Sequence, residues 1–471
     1  MKTFGLKPLA GLLAAALLAG APLASPAFAQ TTAPAAAAPA AAEAPAAAPA
    51  VAAPAAAPAA PATPAPPKQD SGDTAWMMTS TALVLLMTIP GLALFYGGMV
   101  RRKNIIATVT QSFVITCLVT VLWMAVGYTA AFTTNHDANL NKYIGGFDGI
   151  FLSGMNMASV NSLAATIPEW VFVMFQMTFA IITPALIAGA FAERMKFSAL
   201  LLFMTLWSLF VYAPIAHWVW GGGFLGAAGV LDFAGGTVVH INAGVAGLVC
   251  ALVMGRRKGY GNDNMAPSNL VFTMIGASLL WVGWFGFNAG SAVASNNLAG
   301  VAMLNTQVAT AAAALTWMIV EWVQRKKPGM LGLASGAVAG LVAITPAAGF
   351  VNPQGALIIG VVAGAVCYAG AVWLKGIFKY DDSLDAFGVH GIGGIAGALL
   401  TGVLADPAIN PLGKDHSLLT QAKGVAVTIG WTAAATLVIL YICKFTVGLR
   451  VSEEEEVEGL DLALHGEALH D

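Results

Sequence analysis

Eleven separate runs of this chain are each long and apolar enough to cross a lipid bilayer, and nothing else in the sequence constrains the fold as tightly. A hydrocarbon core about 30 Å thick takes roughly 20 apolar residues in a helix. Such runs fall at residues 75–99, 105–133, 168–191, 198–220, 234–254, 268–291, 303–324, 331–349, 355–374, 386–405 and 420–446. Inside hydrocarbon every backbone N–H and C=O needs a partner within the protein, so runs of this length predict helices. The fold class that follows is an all-α polytopic membrane protein of eleven transmembrane helices. Of 471 residues, 58% are apolar and 9% charged, where soluble domains carry about 25% charged residues. Lys and Arg (21) nearly balance Asp and Glu (23), which leaves no basic field for nucleic acid.

The N-terminal end reads differently. Lys2 and Lys7, an apolar stretch from Leu9 to Leu23, and Ala27-Phe28-Ala29 match the three regions of a cleaved signal peptide over 1–29. Residues 30–70 are almost wholly Ala and Pro as far as Pro67, with Glu43 the single charge in that stretch. Recurring proline stops a helix from propagating, so this segment is expected to be a disordered periplasmic tether. The membrane domain is then 71–448, and 449–471 is a cytoplasmic tail whose run Glu453 to Glu456 reads as a solvated face. If the first span runs from outside to inside, 15 Lys and Arg fall in inner segments, among them Arg101, Arg194, Arg257, Lys375 and Arg450. Lys142, Lys414 and Lys423 fall on the outer side. That distribution satisfies the positive-inside rule in every loop. Cys117, Cys250, Cys367 and Cys443 lie in apolar runs without paired spacing and read as small buried hydrophobes, not disulfides or zinc ligands.

An internal repeat organises the spans. Val239-His240-Ile-Asn-Ala-Gly244-Val-Ala246-Gly247 shares five of nine positions with Val389-His390-Gly-Ile-Gly-Gly394-Ile-Ala396-Gly397. The copies lie in the fifth and tenth spans, so each repeat holds five helices, and an odd repeat is inverted in the membrane. The expectation is an inverted 5+5 repeat plus a final helix, an architecture that places a site at the repeat interface near the midplane. Ionisable side chains inside spans face a bundle interior or a water path; two unrelated core histidines are the alternative. Hydropathy sets His240 and His390 toward opposite ends of their helices, so periodicity does not make them neighbours.

On the outer side the chain reads His217-Trp218-Val-Trp220-Gly-Gly-Gly, then Asp232-Phe-Ala-Gly-Gly before the first histidine. Trp218 reads equally well as an interfacial anchor, whereas Trp220 beside three glycines can expose an indole face to a cation. Asp232 fits a helix N-cap and also attracts a cation. The runs Phe175-Gln-Met-Thr-Phe179-Ala and Trp281-Val-Gly-Trp284-Phe-Gly-Phe287-Asn-Ala-Gly-Ser291 are aromatic stripes at helical spacing, ordinarily core. Ser291 is a hydroxyl able to accept from a donor-rich solute. No nucleotide loop, nucleophile elbow or metal cluster appears, so neither an enzyme nor a cofactor is expected.

Taken in order, Trp220-Gly-Gly-Gly, Asp232-Phe-Ala-Gly-Gly-Thr-Val-Val-His240-Ile-Asn-Ala-Gly244, Gly283-Trp-Phe-Gly-Phe-Asn-Ala-Gly-Ser291, Asp385-Ala-Phe-Gly-Val-His390-Gly and the tail from Gly448 to Glu467 strongly resemble the bacterial ammonium transporter (Amt) family, from about residue 72 to 471. The resemblance implies a homotrimer with one pore per subunit. It implies an outer recruitment site at Phe179, Trp220 and Ser291, a phenyl gate of Phe179 and Phe287, and twin pore histidines His240 and His390. Asp232 becomes the acidic residue that orders the mouth. The expected function is ammonium uptake across the inner membrane with methylammonium as analogue, and a PII-type signal protein as cytoplasmic partner. An ammonium sensor and a passive ammonia gas channel are the rival readings.

Overall fold

Apolar runs become helices here because a helix satisfies its own backbone, and the structure, a computed structural model describing residues 68–469, is all-helical over them. Among the described residues, ten helices are long and apolar enough to span a membrane. They are α1 (Ser71–Met99), α2 (Arg102–Phe132), α3 (Glu169–Phe191), α4 (Phe197–Ala227), α5 (Gly236–Met254), α6 (Leu270–Ala289), α7 (Asn297–Arg325), α9 (Pro353–Phe378), α10 (Phe387–Leu404) and α11 (Leu418–Thr446). The shorter apolar helix Met330–Ile344 is α8. These are the eleven expected runs. The helix α8 stops before residue 349 because Thr345 is followed by Pro346, which cannot donate to a continuing helix. α7 starts before residue 303 because the Asn296 side chain accepts from Ala299 N at 3.1 Å and caps it. The signal peptide and the tether as far as residue 67 lie outside the described residues. The core centres on α3, 89% of whose apolar window is buried, while α11 lies at the periphery with 33%.

The repeat is visible in hydrogen bonding as well as in sequence. Ile182-Thr183-Pro184-Ala185 in α3, the third helix of the first half, recurs as Ile344-Thr345-Pro346-Ala347 at the end of α8, the third helix of the second half. In both copies the threonine hydroxyl donates to the carbonyl four residues back, Thr183 to Phe179 and Thr345 to Leu341, each at 2.7 Å. α1–α5 and α6–α10 are therefore the two halves, with α11 outside the repeat.

Charged loops gather on one side, called here the basic face. Glu193 accepts from Arg101 Nη2 at 2.8 Å and Arg257 Nη1 at 3.0 Å, and Arg257 Nη2 reaches Asp381 Oδ1 at 2.9 Å. Burial alone would raise the Glu193 carboxyl, but the guanidiniums of Arg257 and Arg101 override it and hold it below the usual range. The tail folds onto this face as two short helices, α12 (Glu453–Glu458) and α13 (Leu460–His465). The glutamate run is not one solvated face. Glu453 and Glu454 are exposed, but Glu456 is 1% exposed and accepts from Lys258 N and Arg450 Nη2, each at 2.6 Å. Asp461 accepts from Ala107 N at 2.8 Å and Asn104 Oδ1 from Leu460 N at 2.8 Å, which ties α13 to the start of α2. Cys117 also departs from expectation: it is exposed on α2, where an apolar thiol suits a lipid-facing position, while the other three cysteines are buried.

Candidate functional site

Opposite the basic face, a cavity of about 240 Å³ is lined by Phe132, Phe172, Gln176, Phe179, Trp220, Phe233 and Ser291 among others. Trp220 follows the helical turn Ala213–Val219 and is held at both ends, its backbone N donating to Ala216 O and its Nε1 to Asp232 O, each at 2.8 Å. The edge of Phe179 meets it at a ring separation of 5.8 Å and an interplanar angle of 88°. The Ser291 hydroxyl donates to Phe287 O at 2.8 Å, which leaves its lone pairs for a donor. Trp218 is 6% exposed and donates to Tyr143 O at 2.8 Å, so it packs inside the protein and does not anchor a membrane interface.

Beneath the cavity the rings continue inward. Phe179 lies over Phe287 at 4.2 Å between centroids, Phe287 is 6.0 Å from His240, and His240 stacks on His390 at 5.4 Å and 19°. The two imidazole Nδ1 atoms are 3.3 Å apart, so one donates and the other accepts. His240 Nε2 is buried with no partner among the described residues. Phe287, His240 and His390 each sit in a widened π-helical turn, Phe285–Ala289, Gly236–Ile241 and Phe387–Gly391. Such turns re-aim side chains and recur at functional sites.

Hydropathy could not join the histidines; glycine does. A Cβ on Gly244 would lie 2.2 Å from Gly391 N, so α5 and α10 cross there with their backbones in contact. Its repeat mate Gly394 faces α5 less tightly, where a Cβ would be 3.0 Å from Ile241 N. Small residues permit this approach between membrane helices, and the crossing presents each histidine to the other.

Each histidine is preceded, eight positions earlier, by an aspartate: Asp232 and Asp382. Asp232 accepts from Gly235 N at 2.8 Å, Gly236 N at 2.6 Å, Thr237 N at 2.8 Å and Val238 N at 3.1 Å, and from the Thr237 hydroxyl. Asp382 accepts from Ala386 N at 3.0 Å and Phe387 N at 2.8 Å. Both are buried, 6% and 1% exposed.

The expected site residues Phe179, Trp220 and Ser291 line one cavity, Phe287, His240 and His390 continue inward from it, and Asp232 pins the turn before His240, while Trp218 packs elsewhere. Sequence reasoning missed two others. Asp382 was findable from the shared spacing to the histidine. Trp284 was not: it stacks on His240 at 5.4 Å and 18° while donating Nε1 to Thr345 Oγ1 at 2.9 Å, and its place among the aromatic stripes gave no signal separating it from core.

Comparison with known proteins gives the family of the chain. The model of the Ammonium Transporter Family matches residues 75–469. An ammonium transporter of Aquifex aeolicus is 52% identical over 408 residues, covering 85% of this chain and 93% of its own. One of Bacillus subtilis is 50% identical over 403 residues, covering 84% and 98%. Among solved structures, Saccharomyces cerevisiae Mep2 superposes with a TM-score of 0.76 at 33% identity over 82% of this chain and 89% of its own. A structure titled "Sensor Amt Protein" does so at 0.77 with 29% identity, over 84% and 98%. The chain is thus a multi-pass membrane protein and belongs to the ammonium transporter family.

Proposed function

We propose that the cavity recruits ammonium from outside the cell and that the histidine pair passes ammonia and its proton separately toward the basic face, giving net ammonium uptake. The observation that carries this reading is the continuous run of rings Trp220, Phe179, Phe287, His240, His390, within which His240 Nε2 is buried with no partner among the described residues. Aromatic faces and the free lone pairs of Ser291 replace part of the hydration of a small cation. Carrying a unit charge into a dry interior costs on the order of 20 kcal/mol in the continuum limit. Neutral ammonia avoids that cost and potassium cannot. The imidazoles accept and donate hydrogen bonds to ammonia and relay the proton it gives up.

In this reading the basic face is cytoplasmic, following the positive-inside rule. The protein works in a bacterial inner membrane as a homotrimer, exported by its signal peptide with a dispensable Ala/Pro tether. The tail helices, tied to the basic loops through Glu456 and Asp461, offer a docking surface for a PII-type protein.

The test is solid-supported-membrane electrophysiology on proteoliposomes, comparing ammonium, methylammonium and potassium. Ammonium and methylammonium are expected to give current and potassium none. Replacing His240 and His390 together by leucine is expected to abolish the ammonium current. Equal potassium current, or an unchanged double variant, would overturn the reading.

A further inference from the structure

The repeat assigns the two aspartates the same place, yet their surroundings differ. Asp232 takes five donors, and Asp382 takes two. The ammonium group of Lys375, on α9, is directed to the Asp385 carboxylate and to the Asp382 main-chain carbonyl, the latter at 3.3 Å. The Asp382 carboxylate therefore keeps lone pairs free while being 1% exposed, just before the helix that carries His390. The ionisable groups around it are Asp385 from its own segment, Lys375 from α9, Tyr96 from α1, Arg194 beyond the end of α3, Cys250 from α5 and Tyr380. Two of them cannot compete for a proton from the lumen: Lys375 and Arg194 carry their full complement. The Tyr96 hydroxyl is already donated to Leu186 O at 3.0 Å.

We propose that Asp382 is the group that takes the proton leaving the histidine pair on the basic side and hands it to the solution there. This rests on the reading that net charge crosses with ammonia. An N–H bond of the protonated imidazole pair breaks as the Asp382 O–H bond forms, through water in the intervening lumen. That O–H then breaks to solvent, restoring the carboxylate, and the emerging ammonia takes a proton from solution, so one ammonium has moved for each cycle. Burial, with the Asp385 carboxylate beside it, pushes the Asp382 carboxyl up to about 6, which suits a group that must both capture and release a proton near neutral pH.

The test uses the full chain in proteoliposomes with two readouts, ammonium-evoked current and ammonia entry followed by an interior pH dye. In Asp382→Asn the single amide oxygen still accepts from one of Ala386 N and Phe387 N, which reach different carboxylate oxygens, and the amide cannot take a proton. The ratio of current to ammonia entry is expected to fall roughly a hundredfold, the lower range of what a positioned acid or base contributes, and Asp382→Glu is expected to restore it. An unchanged ratio in Asp382→Asn would overturn the assignment and leave the transport reading standing. Absence of current in the unaltered protein would overturn both. Should Asp382→Asn fail to assemble, infrared difference spectra of the unaltered protein decide the matter. A protonated-carboxyl band titrating near pH 6 and shifted in Asp382→Glu is expected; no such band would refute the assignment.

Discussion

The two approaches to the histidine pair share a backbone and differ in chemistry. From one face the path is aromatic, with Trp220 and the Phe179–Phe287 stack leading in and Asp232 saturated by five donors. On the basic side the segment leading into the helix of His390 is ionic, with Lys375, Asp385 and an Asp382 that takes two donors. Gly244 and Gly394 hold matching places in the crossing of α5 and α10, Gly244 at the closer approach. The repeat thus accounts for the geometry that brings two imidazoles together, and the two halves differ in what surrounds each aspartate.

The sharpest way to break the symmetry is at the crossing itself. A methyl at Gly244 meets backbone of Gly391 and His390 that cannot move aside, whereas one at Gly394 meets Gly236 O and the side chain and nitrogen of Ile241 at 3.0 Å. Gly244→Ala is expected to cost about 3 kcal/mol, the upper range for overpacking, and Gly394→Ala about 1 kcal/mol. Thermal unfolding in detergent monitored by size exclusion distinguishes them. Equal losses would mean the crossing tolerates a methyl on either side.

Next comes the pair of aspartates as caps. Asp232→Ala strands four backbone N–H groups and a hydroxyl, and Asp382→Ala strands two. At about 1 kcal/mol for each buried donor left unpaired, the first is expected to lose about 5 kcal/mol and the second about 2. Reversal of that order in the same unfolding assay would deny Asp232 its structural share.

Much of this was legible beforehand, and the reason is physical. Bilayer thickness converts apolar run length directly into helices, so all eleven spans could be read from sequence. The motif around Trp220, Asp232 and His240 named its own residues. What sequence withheld was proximity. That His240 and His390 touch depends on two glycines whose value lies in the side chain they lack, and that Glu456 is buried depends on Lys258 and Arg450 arriving from other segments. Periodicity describes one helix at a time and carries no term for either.

The pH dependence separates the two approaches by sign. A carboxyl raised to about 6 accepts a proton only while ionised, so lowering pH on the basic face through that value is expected to reduce the current by about half at the midpoint. Asp382→Asn is expected to lack the inflection. Current recorded with the basic face exposed to pH 5 through 8 checks this, and a flat profile in the unaltered protein would contradict it. Trp220→Leu, acting at the aromatic end, is expected to weaken apparent ammonium affinity about tenfold, or 1.4 kcal/mol, without moving that inflection.

The smallest contrast lies in the repeated threonines. Thr183 and Thr345 make the same bond to their own helices, but Thr345 also accepts the Trp284 indole N–H at 2.9 Å. Thr345→Val therefore leaves a buried donor orphaned behind the ring that stacks on His240, at a cost of about 1 kcal/mol. Thr183→Val loses only a local bond to a carbonyl already within a helix, a change of about 0.5 kcal/mol. Transport should follow the same order, because only the indole reaches the histidine. Equal transport in the two variants would show that Trp284 is packing and does not hold His240 in place.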